Sequence, residues 1–435
     1  MLSKIKTLKE HQGFQKYFKN TSWLLGEKVL RMFVGLFVGV WVARYLGPER
    51  YGLFSYVQSF VGLFTVLSTL GLDSIVVREL VKDDSHKEAL LSTTFVLKLC
   101  AAFLTVLLLG VAICFTSNDA FVNKMVFIVA SAVFFQSFNV IDMFFQAKVL
   151  SRYVVYANTV SLCVSSLLKV VCIFYQAPLI AFVWIVLFDS MVLALGLIYF
   201  YARFTRWNIH FKVFDAAVAK ALLQNAWPLI LSGLVVSIYM KIDQVMIQEM
   251  LGSEAVGQYA AAVRISEAWY FIPMVIASSL FPAIVNAKQV SEELYYTRLQ
   301  RLYALLAWIA IVIALLITFL NDWVIHLLYG SQYNQSSSVL TIHIWAGVFV
   351  SLGVASSQWF ISENLQTLAF WRTFYGMLCN IILNIILIPK YNIQGAAIAT
   401  LLSYLVAGLI FDGFCKETRK NFFMKLNIVN LWRML

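Results

Sequence analysis

Residues 46–55 read LGPERYGLFS, and residues 251–260 read LGSEAVGQYA. A shift of 205 residues aligns these stretches and one upstream asparagine, at Asn20/Asn225, Leu46/Leu251, Gly47/Gly252, Glu49/Glu254 and Gly52/Gly257. Each stretch closes one apolar segment and opens the next, and a tight turn between helices needs the positive φ that glycine adopts without strain. The sequence therefore predicts an internal repeat built around two equivalent helical corners.

The composition around these corners is typical of a membrane protein. The chain has 435 residues, of which 61% are hydrophobic and 13% charged, with a mean hydropathy of +0.81. Soluble domains carry about 25% charged residues. Apolar stretches of about 18–25 residues recur along the chain, and each is long enough to cross a bilayer. We predict an all-α polytopic membrane protein, because a soluble α-domain could not bury so much apolar surface.

The apolar stretches predict twelve transmembrane helices, at 22–46, 51–72, 91–115, 121–145, 154–175, 178–202, 226–250, 255–285, 302–320, 339–361, 366–388 and 394–414. Since each repeat contains six spans, an even number, the halves form two parallel six-helix lobes, as in transporters that rock two bundles around a midplane site. The predicted divisions are a cytoplasmic basic tail (1–21), an N-lobe (22–202), a cytoplasmic inter-lobe linker (203–225), a C-lobe (226–414) and a cytoplasmic amphipathic tail (415–435).

The distribution of basic residues predicts the orientation. Of the 33 Lys and Arg residues, the predicted outer loops hold only Arg44, Arg50, Lys124 and Lys390. The positive-inside rule therefore places both termini in the cytoplasm. The net charge of +11 follows mainly from this bias and attracts anionic lipid headgroups, so nucleic acid is not a predicted partner.

The last twenty residues have an amphipathic pattern. Apolar side chains recur there at helical spacing among basic ones, at Phe422, Phe423, Leu426, Val429 and Trp432 against Lys420, Lys425 and Arg433. This pattern is typical of a helix lying on the membrane surface. A frayed terminus is the alternative.

Three longer stretches resemble a known family. They are WVARYLGPERYGLFSYVQSF (41–60), YMKIDQVMIQEMLGSEAVGQYAAAVRISEAWYFIPMVIASSLFPAIV (239–285) and NIILNIILIPKYNIQGAAIATLLSY (380–404). They resemble polysaccharide-type flippases of the multidrug/oligosaccharidyl-lipid/polysaccharide (MOP) exporter superfamily, and in particular Wzx-like O-antigen flippases. The resemblance covers essentially the whole chain.

The resemblance implies a flippase of the bacterial inner membrane, with two six-helix lobes around a central cationic cavity, that works by alternating access. The implied substrate is an undecaprenyl-diphosphate-linked oligosaccharide, an O-antigen or related polysaccharide repeat unit, moved from the cytoplasmic to the periplasmic leaflet. The implied partners are the lipid bilayer, a coupling ion (H⁺ or Na⁺), and a polysaccharide polymerase with its chain-length regulator.

Basic residues inside the spans are the candidate substrate-binding groups. Charges at bilayer depth are costly and usually pair or line a pathway, and a lipid diphosphate needs positive charge to leave water. The candidates for a cationic cavity are Arg31, Lys28, Lys98, Lys241 and Arg264. For Arg31 and Lys28 the alternative is snorkelling to the interface, and for Arg264 it is a structural ion pair with Glu267.

Acidic residues inside the spans are the candidates for coupling or gating: Asp243, Glu27, Asp142, Asp189 and Glu267. Asp243 and Lys241 lie two positions apart, so they cannot share one helix face. Each must find partners on different neighbours. Glu27 precedes Arg31 by four residues, a spacing that predicts an ion pair on one face. The alternative for Asp142 is a solvated cap near the inner interface, and the alternative for Asp189 is a structural hydrogen bond. For Asp243 the alternative is a structural charge satisfied by its partners.

The sequence contains no pattern typical of an enzyme. It has no phosphate-binding glycine loop, no metal-ligand cluster and no nucleophile triad, and its predicted outer loops are short. We therefore predict no catalytic residues, no metal and no cofactor. The competing hypotheses are a cation-coupled drug or metabolite exporter of the same superfamily, a membrane polymerase or glycosyltransferase, and a non-transporting assembly scaffold.

Overall fold

The computed structural model describes residues 12–83, 86–205 and 214–428, with side chains from Asn20 onward. These ranges consist of helices and short connections and contain no strand. The predicted all-α fold class is therefore confirmed for the described chain. Val429, Trp432 and Arg433 of the amphipathic pattern lie outside the described residues.

Seven α-helices form the part of the described chain that ends at Thr205. They are α1 (Gln12–Thr69), α2 (Asp73–Lys82), α3 (Lys87–Ile113), α4 (Ala120–Gln136), α5 (Val140–Ala147), α6 (Arg152–Phe174) and α7 (Leu179–Phe204). A 3₁₀ turn at Ser137–Asn139 joins α4 to α5.

Nine more helices follow in the described residues after 214. They are α8 (Ala216–Leu251), α9 (Ser253–Glu267), α10 (Phe271–Val290), α11 (Glu292–Leu328), α12 (Asn334–His343), α13 (Ala346–Ser362), α14 (Gln366–Leu405), α15 (Phe411–Phe414) and α16 (Arg419–Leu426). A π-helical turn at Val406–Ile410 connects α14 to α15.

The long helices confirm a multi-pass membrane protein. Within the described ranges, nine helices are long and apolar enough to cross a bilayer, and the pair α12 and α13, bent by 45°, makes a tenth. Two of the long helices are broken internally, α1 at Gly47 and α14 at Asn392, where the backbone leaves the helical region. The count of twelve spans stays a prediction.

The repeated corners have the conformation that the glycines predict. Gly47 has a φ of 73° and Gly252 a φ of 88°. A Cβ atom on Gly52 would overlap the carbonyl oxygen of Ser253, and one on Gly257 would overlap that of Pro48. The second glycine of each motif therefore lets the two corners pack backbone against backbone.

Two helices extend beyond the predicted spans. Helix α1 begins at Gln12 rather than at 22, and α8 begins at Ala216, inside the predicted linker 203–225. The carboxylate of Asp215 explains the second start, because it accepts hydrogen bonds from the backbone N–H of Ala217 (2.8 Å) and Val218 (3.2 Å), which are otherwise unsatisfied.

The predicted loop at 321–338 is also mostly helical. Helix α11 continues to Leu328, and a 3₁₀ turn at Ser331–Tyr333 leads directly into α12. Gly330, with a φ of 86°, makes the turn between them.

By internal packing the chain forms two compact units. Unit 1 takes in Val57–Ser237 together with the described chain up to Tyr45, and unit 2 takes in Leu46–Tyr56 together with the chain from Ile238. The corner after Gly47 thus packs in unit 2, although the helical segments on both sides of it belong to unit 1. The lobes predicted at 22–202 and 226–414 remain a prediction.

Each unit has its own apolar core. In unit 1 the core centres on Phe144, Phe145 and Tyr201, at the meeting of α5 and α7. In unit 2 the largest cluster packs α10 and α11 against α13 and includes Tyr303 and Trp359. These cores hold the helices that position the buried charges described next.

Candidate functional site

Asp243 lies at the centre of a buried polar pocket in unit 2. Its Oδ1 accepts a hydrogen bond from Nδ2 of Asn384 at 2.6 Å. Its Oδ2 accepts from the hydroxyl of Tyr259 at 2.8 Å and from Oγ1 of Thr400 at 2.5 Å. Four helical segments meet here, because the partners come from α9 and from both halves of α14.

The break in α14 explains how one helix supplies two of these partners. Asn392 has a φ of 53°, and a Cβ on the neighbouring Gly395 would overlap the carbonyl oxygen of Leu387. The chain therefore folds back sharply, so that Asn384 before the break and Thr400 after it both face Asp243. The glycine permits the close approach that this corner requires.

Asn380 completes the pocket one helical turn before Asn384. Nδ2 of Asn384 also donates to Oδ1 of Asn380, at 3.1 Å. Two polar atoms of this pair, Oδ1 of Asn384 and Nδ2 of Asn380, are buried without a hydrogen-bond partner. Buried polar groups are rarely left unsatisfied, so the pocket has unused capacity for a ligand.

The partners of Asp243 are neutral donors rather than cations. Burying an ionised carboxylate costs many kcal/mol unless its charge is compensated. A proton or a bound cation would supply that compensation. Carboxylate, amide and hydroxyl oxygens are the ligands that hard cations prefer, so the residues present fit either ion.

Lys241 and Glu267 lie near the Asp243 pocket but not in its hydrogen-bond network. Lys241 is half-buried, on the other side of α8 from Asp243, as the two-residue spacing predicts. Lys241 and Asp243 are both within electrostatic range of Glu267, the last residue of α9. The structure thus brings three of the predicted site residues together in unit 2.

Arg264, also on α9, faces the repeated corner. Its Nη1 donates to the hydroxyl of Tyr51 at 3.4 Å, and Tyr51 lies in the LGPERYGLFS motif. The ring of Tyr51 in turn packs edge-on against that of Tyr333, with centroids 6.4 Å apart. Arg264 is therefore placed beside the corner rather than in the Asp243 pocket.

In unit 1 the predicted ion pair on α1 is confirmed. Nε of Arg31 donates to Oε1 of Glu27 at 2.7 Å, and Nη2 donates to the carbonyl oxygen of Asn158 on α6 at 3.4 Å. Glu27 is buried, whereas the Arg31 side chain is 42% exposed. Lys28 is exposed on the same helix.

Lys98 has a carboxylate partner that the sequence analysis did not name. Its side chain is 3% exposed, and its Nζ lies 2.9 Å from Oδ1 of Asp73, whose side chain is 63% exposed. Asp142 lies within electrostatic range of Lys98, Asp73 and Glu27. Asp142 and Glu27, two of the predicted coupling or gating residues, therefore lie near Lys98, one of the predicted substrate-binding residues.

Asp189 takes part in a contact between helices. Its Oδ1 and its backbone oxygen accept from the hydroxyl of Ser161, at 2.5 and 2.9 Å, which ties α7 to α6. Of the two roles considered for Asp189, this contact matches the structural one.

A second buried carboxylate, Asp412, occupies the other end of unit 2. Its Oδ2 lies 2.6 Å from Nζ of Lys425 and accepts from Nδ2 of Asn421 at 2.8 Å, and both charged side chains are fully buried. Nζ of Lys425 also donates to the carbonyl oxygen of Gly408 at 2.6 Å. The amphipathic pattern placed Lys425 on a polar face, which is wrong, because the lysine docks α16 into the core.

Among the described residues, no group of three or more His, Cys, Asp or Glu side chains is placed to hold a metal. The Asp243 pocket instead combines one carboxylate with neutral amide and hydroxyl groups. The sequence analysis missed Tyr259 and Thr400. The i, i+4 spacing of Asn380 and Asn384 is a signal that could have shown that these two share one helix face.

Comparison with protein families identifies the chain's relatives. The model of the polysaccharide biosynthesis protein family matches residues 17–288. The chain belongs to this family. A second family model, MatE, matches residues 228–386, which include the Asp243 pocket up to Asn384.

One curated relative is Agl15 of Haloferax volcanii, a probable low-salt glycan biosynthesis flippase. It is 27% identical over 175 residues, which are 39% of this chain and 36% of Agl15. The matches to curated relatives span between 36% and 59% of those relatives' lengths.

Two solved structures have the same fold along nearly the whole chain. The lipid II flippase MurJ, in an inward closed conformation, has a TM-score of 0.70 at 17% identity, covering 93% of this chain and 90% of MurJ. An inward-facing multidrug resistance MATE family transporter of the MOP superfamily has a TM-score of 0.67 at 16% identity, covering 93% and 96%. The predicted resemblance to the MOP superfamily is therefore confirmed.

Proposed function

We propose that this protein is a flippase for undecaprenyl-diphosphate-linked oligosaccharide, an O-antigen or related polysaccharide repeat unit. It moves this lipid from the cytoplasmic to the periplasmic leaflet of a bacterial inner membrane by alternating access. Membership of the polysaccharide biosynthesis protein family supports the substrate class. The observation that supports transport driven by an ion is the Asp243 pocket, where a buried carboxylate has only neutral hydrogen-bonding partners.

The basic side chains predicted from the sequence bind the diphosphate. Arg31 and Lys28 are accessible on α1, while Lys241 and Arg264 lie on α8 and α9. Lys98 contributes less than these four, because its side chain is only 3% exposed and is paired with Asp73, whereas the side chain of Arg31 stays 42% exposed beside Glu27. Positive charge compensates an anion that could not otherwise enter an apolar region.

The coupling ion, Na⁺ or H⁺, binds at Asp243. The amide nitrogen of Asn384 and the hydroxyls of Thr400 and Tyr259 donate to the carboxylate, and binding a cation there changes the charge of the pocket from negative to neutral. A change of charge in a buried site alters the relative free energy of the conformations that expose it. Glu27, Asp142 and Glu267 then act as gating residues rather than as ion ligands.

The location and partners follow from the same proposal. The excess of basic residues in the predicted inner loops supports cytoplasmic termini. A polysaccharide polymerase and its chain-length regulator would use the translocated lipid at the outer face.

A cation-coupled exporter of drugs or other small molecules is the second candidate. The match of the MatE family model to residues 228–386 favours it, because these residues include Asp243 and Asn384. Both functions use an ion site in unit 2, so they differ in the substrate and not in the coupling.

Reconstitution in proteoliposomes tests the two candidates. A fluorescent lipid-linked oligosaccharide is incorporated in both leaflets, a Na⁺ or pH gradient is imposed, and the fraction reaching the other leaflet is measured by chemical quenching. We expect gradient-dependent flipping. Drug efflux without flipping would establish the exporter instead.

The basic residues are tested in the same assay with Arg31→Ala and Lys241→Ala. Each is expected to slow flipping by about tenfold or more, since hydrogen bonds to charged groups contribute about 1.5–3 kcal/mol. Lys124→Ala, at an exposed position, is the control. Full flipping by both variants, at normal protein levels, would refute the assignment of these cations to the substrate.

A further inference from the structure

A groove between α1 and α6 in unit 1 is open to its surroundings. It has a volume of about 710 Å³, within the range of about 300–1,000 Å³ that is usual for ligand pockets. Its walls are mainly apolar, from Trp23, Gly26 and Leu30 on α1 and Val155, Tyr156 and Val160 on α6. Its size and apolar walls fit a hydrocarbon chain.

Polar contacts fix the two helices on either side of this groove. At one end, Nδ2 of Asn20 donates to Oγ of Ser151 at 3.1 Å, and the backbone N–H of Ser151 donates to Oδ1 of Asn20 at 2.8 Å. Toward the other end, Arg31 bridges Glu27 and the carbonyl oxygen of Asn158. The groove between these contacts is therefore preformed rather than a gap that the helices can close.

The floor of the groove has space for a ligand. A Cβ atom on Gly26 would have no neighbour within 4 Å. Trp23 and Tyr156 pack edge-to-face beside it, with ring centroids 5.6 Å apart. The groove extends from Ser22 to Leu30, about 12 Å at the helical rise of 1.5 Å per residue. That length is close to the apolar depth of one leaflet, about 15 Å.

Positive charge lies beside this apolar channel. The Arg31 guanidinium folds back by one turn onto Glu27, a residue that itself lines the groove. Lys28 is exposed on the same helix. An apolar groove with adjacent cations is complementary to a single hydrocarbon chain that ends in phosphate.

We propose that this groove binds the polyisoprenoid chain of the lipid-linked substrate, with Arg31 and Lys28 contacting its diphosphate. The identity of the lipid rests on the proposed function. The groove holds the chain while the sugar is moved, so the lipid tail stays in the apolar phase.

Photoaffinity labelling tests this site directly. The probe is a polyprenyl monophosphate without sugar, which carries a diazirine on its isoprenoid chain, and the full-length protein is reconstituted in phosphatidylcholine nanodiscs. We expect cross-links in residues 22–30 and 155–160, mapped by peptide mass spectrometry. Cross-links confined to other segments would overturn the proposal.

Gly26→Leu tests the groove by filling it. The new side chain enters open space and should weaken labelling by about tenfold, since it excludes about two methylene groups of the ligand. Gly26→Ala should give a smaller reduction. Gly353→Leu is the matched control, because a Cβ at Gly353 on α13 also meets nothing within 4 Å. Wild-type labelling of Gly26→Leu would contradict the assignment.

Competition identifies the occupant. Unlabelled polyprenyl phosphate should displace the probe, whereas phosphatidylglycerol at the same mole fraction should not. Equal displacement by both lipids would show a general lipid site and refute the proposal. If the groove is labelled but the protein flips no lipid, the lipid site stands and the flippase function is refuted. If the protein flips the lipid but the groove is not labelled, the flippase function stands and the lipid site is refuted.

Discussion

Asp243 and Asp412 are both buried carboxylates of unit 2, and they differ in the charge of their partners. Asp412 lies 2.6 Å from Nζ of Lys425. Asp243 is held by the hydroxyls of Tyr259 and Thr400 and by an amide. The negative charge of Asp412 is therefore balanced by Lys425 within the protein. Asp243 has no cation among these hydrogen-bonding partners, which is the property that the proposed coupling site requires.

The ion pair between Asp412 and Lys425 fixes helix α16 against unit 2. Burial lowers the pKa of Lys425 to about 8, and the Asp412 carboxylate opposes this effect by favouring the charged amine. Tyr303 on α11 donates to Oδ1 of Asn421, which itself bonds Asp412. The helix α16 is therefore connected through one polar network to the middle of unit 2.

Breaking the Asp412 pair should have the largest effect on stability. Lys425→Met removes the cation and leaves the carboxylate buried and unpaired, and such a loss costs about 3–5 kcal/mol. We expect a clear fall in the thermal unfolding midpoint of the purified protein in detergent. The double variant Lys425→Met with Asp412→Asn removes both charges and should recover most of the loss. An unchanged midpoint for Lys425→Met would show that the pair is not structural.

Neutralising Asp243 should have the opposite pattern, a loss of transport with the fold retained. Asp243→Asn keeps the size of the side chain and removes the charge that the ion must balance. Coupling free energies are typically about 1–3 kcal/mol, so gradient-driven flipping should fall by about 5–150-fold while the thermal midpoint holds or rises. Asp119→Asn, at the N-terminal cap of α4, is the control. A variant that still responds fully to the gradient would move the ion site elsewhere.

Thr400→Val should produce a smaller shift in the same pocket. It removes the hydroxyl that bonds Asp243 at 2.5 Å and keeps the shape of the side chain. A hydrogen bond contributes about 1 kcal/mol net, so the coupling-ion concentration for half-maximal flipping should rise by about fivefold. Thr105→Val is matched to it, because Thr105 is equally buried but bonds only its own helix at Ala101. A response to ion concentration identical in the two variants would exclude Thr400 as a ligand.

The sequence predicts the fold better than it predicts the pocket, for a physical reason. Apolar length and glycine conformation are local properties, so the helical class and the corners at Gly47 and Gly252 follow from the residues alone. The partners of Asp243 come from 16, 141 and 157 residues away. Which side chain meets which over such distances depends on helix packing, and the break at Asn392 that turns Thr400 toward Asp243 has no separate signal in the hydrophobic pattern.

The same limit explains the partners of the lysines. Lys98 pairs with Asp73, the first residue of the short helix α2. The predicted span 51–72 ends one residue before Asp73. Lys425 pairs with Asp412, which lies thirteen residues earlier on the other side of a turn. Helical periodicity does not extend across that turn, so it placed Lys425 on a polar face although the residue is buried. By contrast, Glu27 and Arg31 share one helix face at i, i+4, and that contact was predictable from spacing.

The packing of residues 46–56 has a consequence for dividing the chain into two fragments. Residues 46–56 pack in unit 2, while the first part of α8, up to Ser237, packs in unit 1. A gene cut between α7 and α8 would therefore encode two fragments, each missing a piece of its own core. Co-expressed halves should then assemble, whereas either half alone should be degraded.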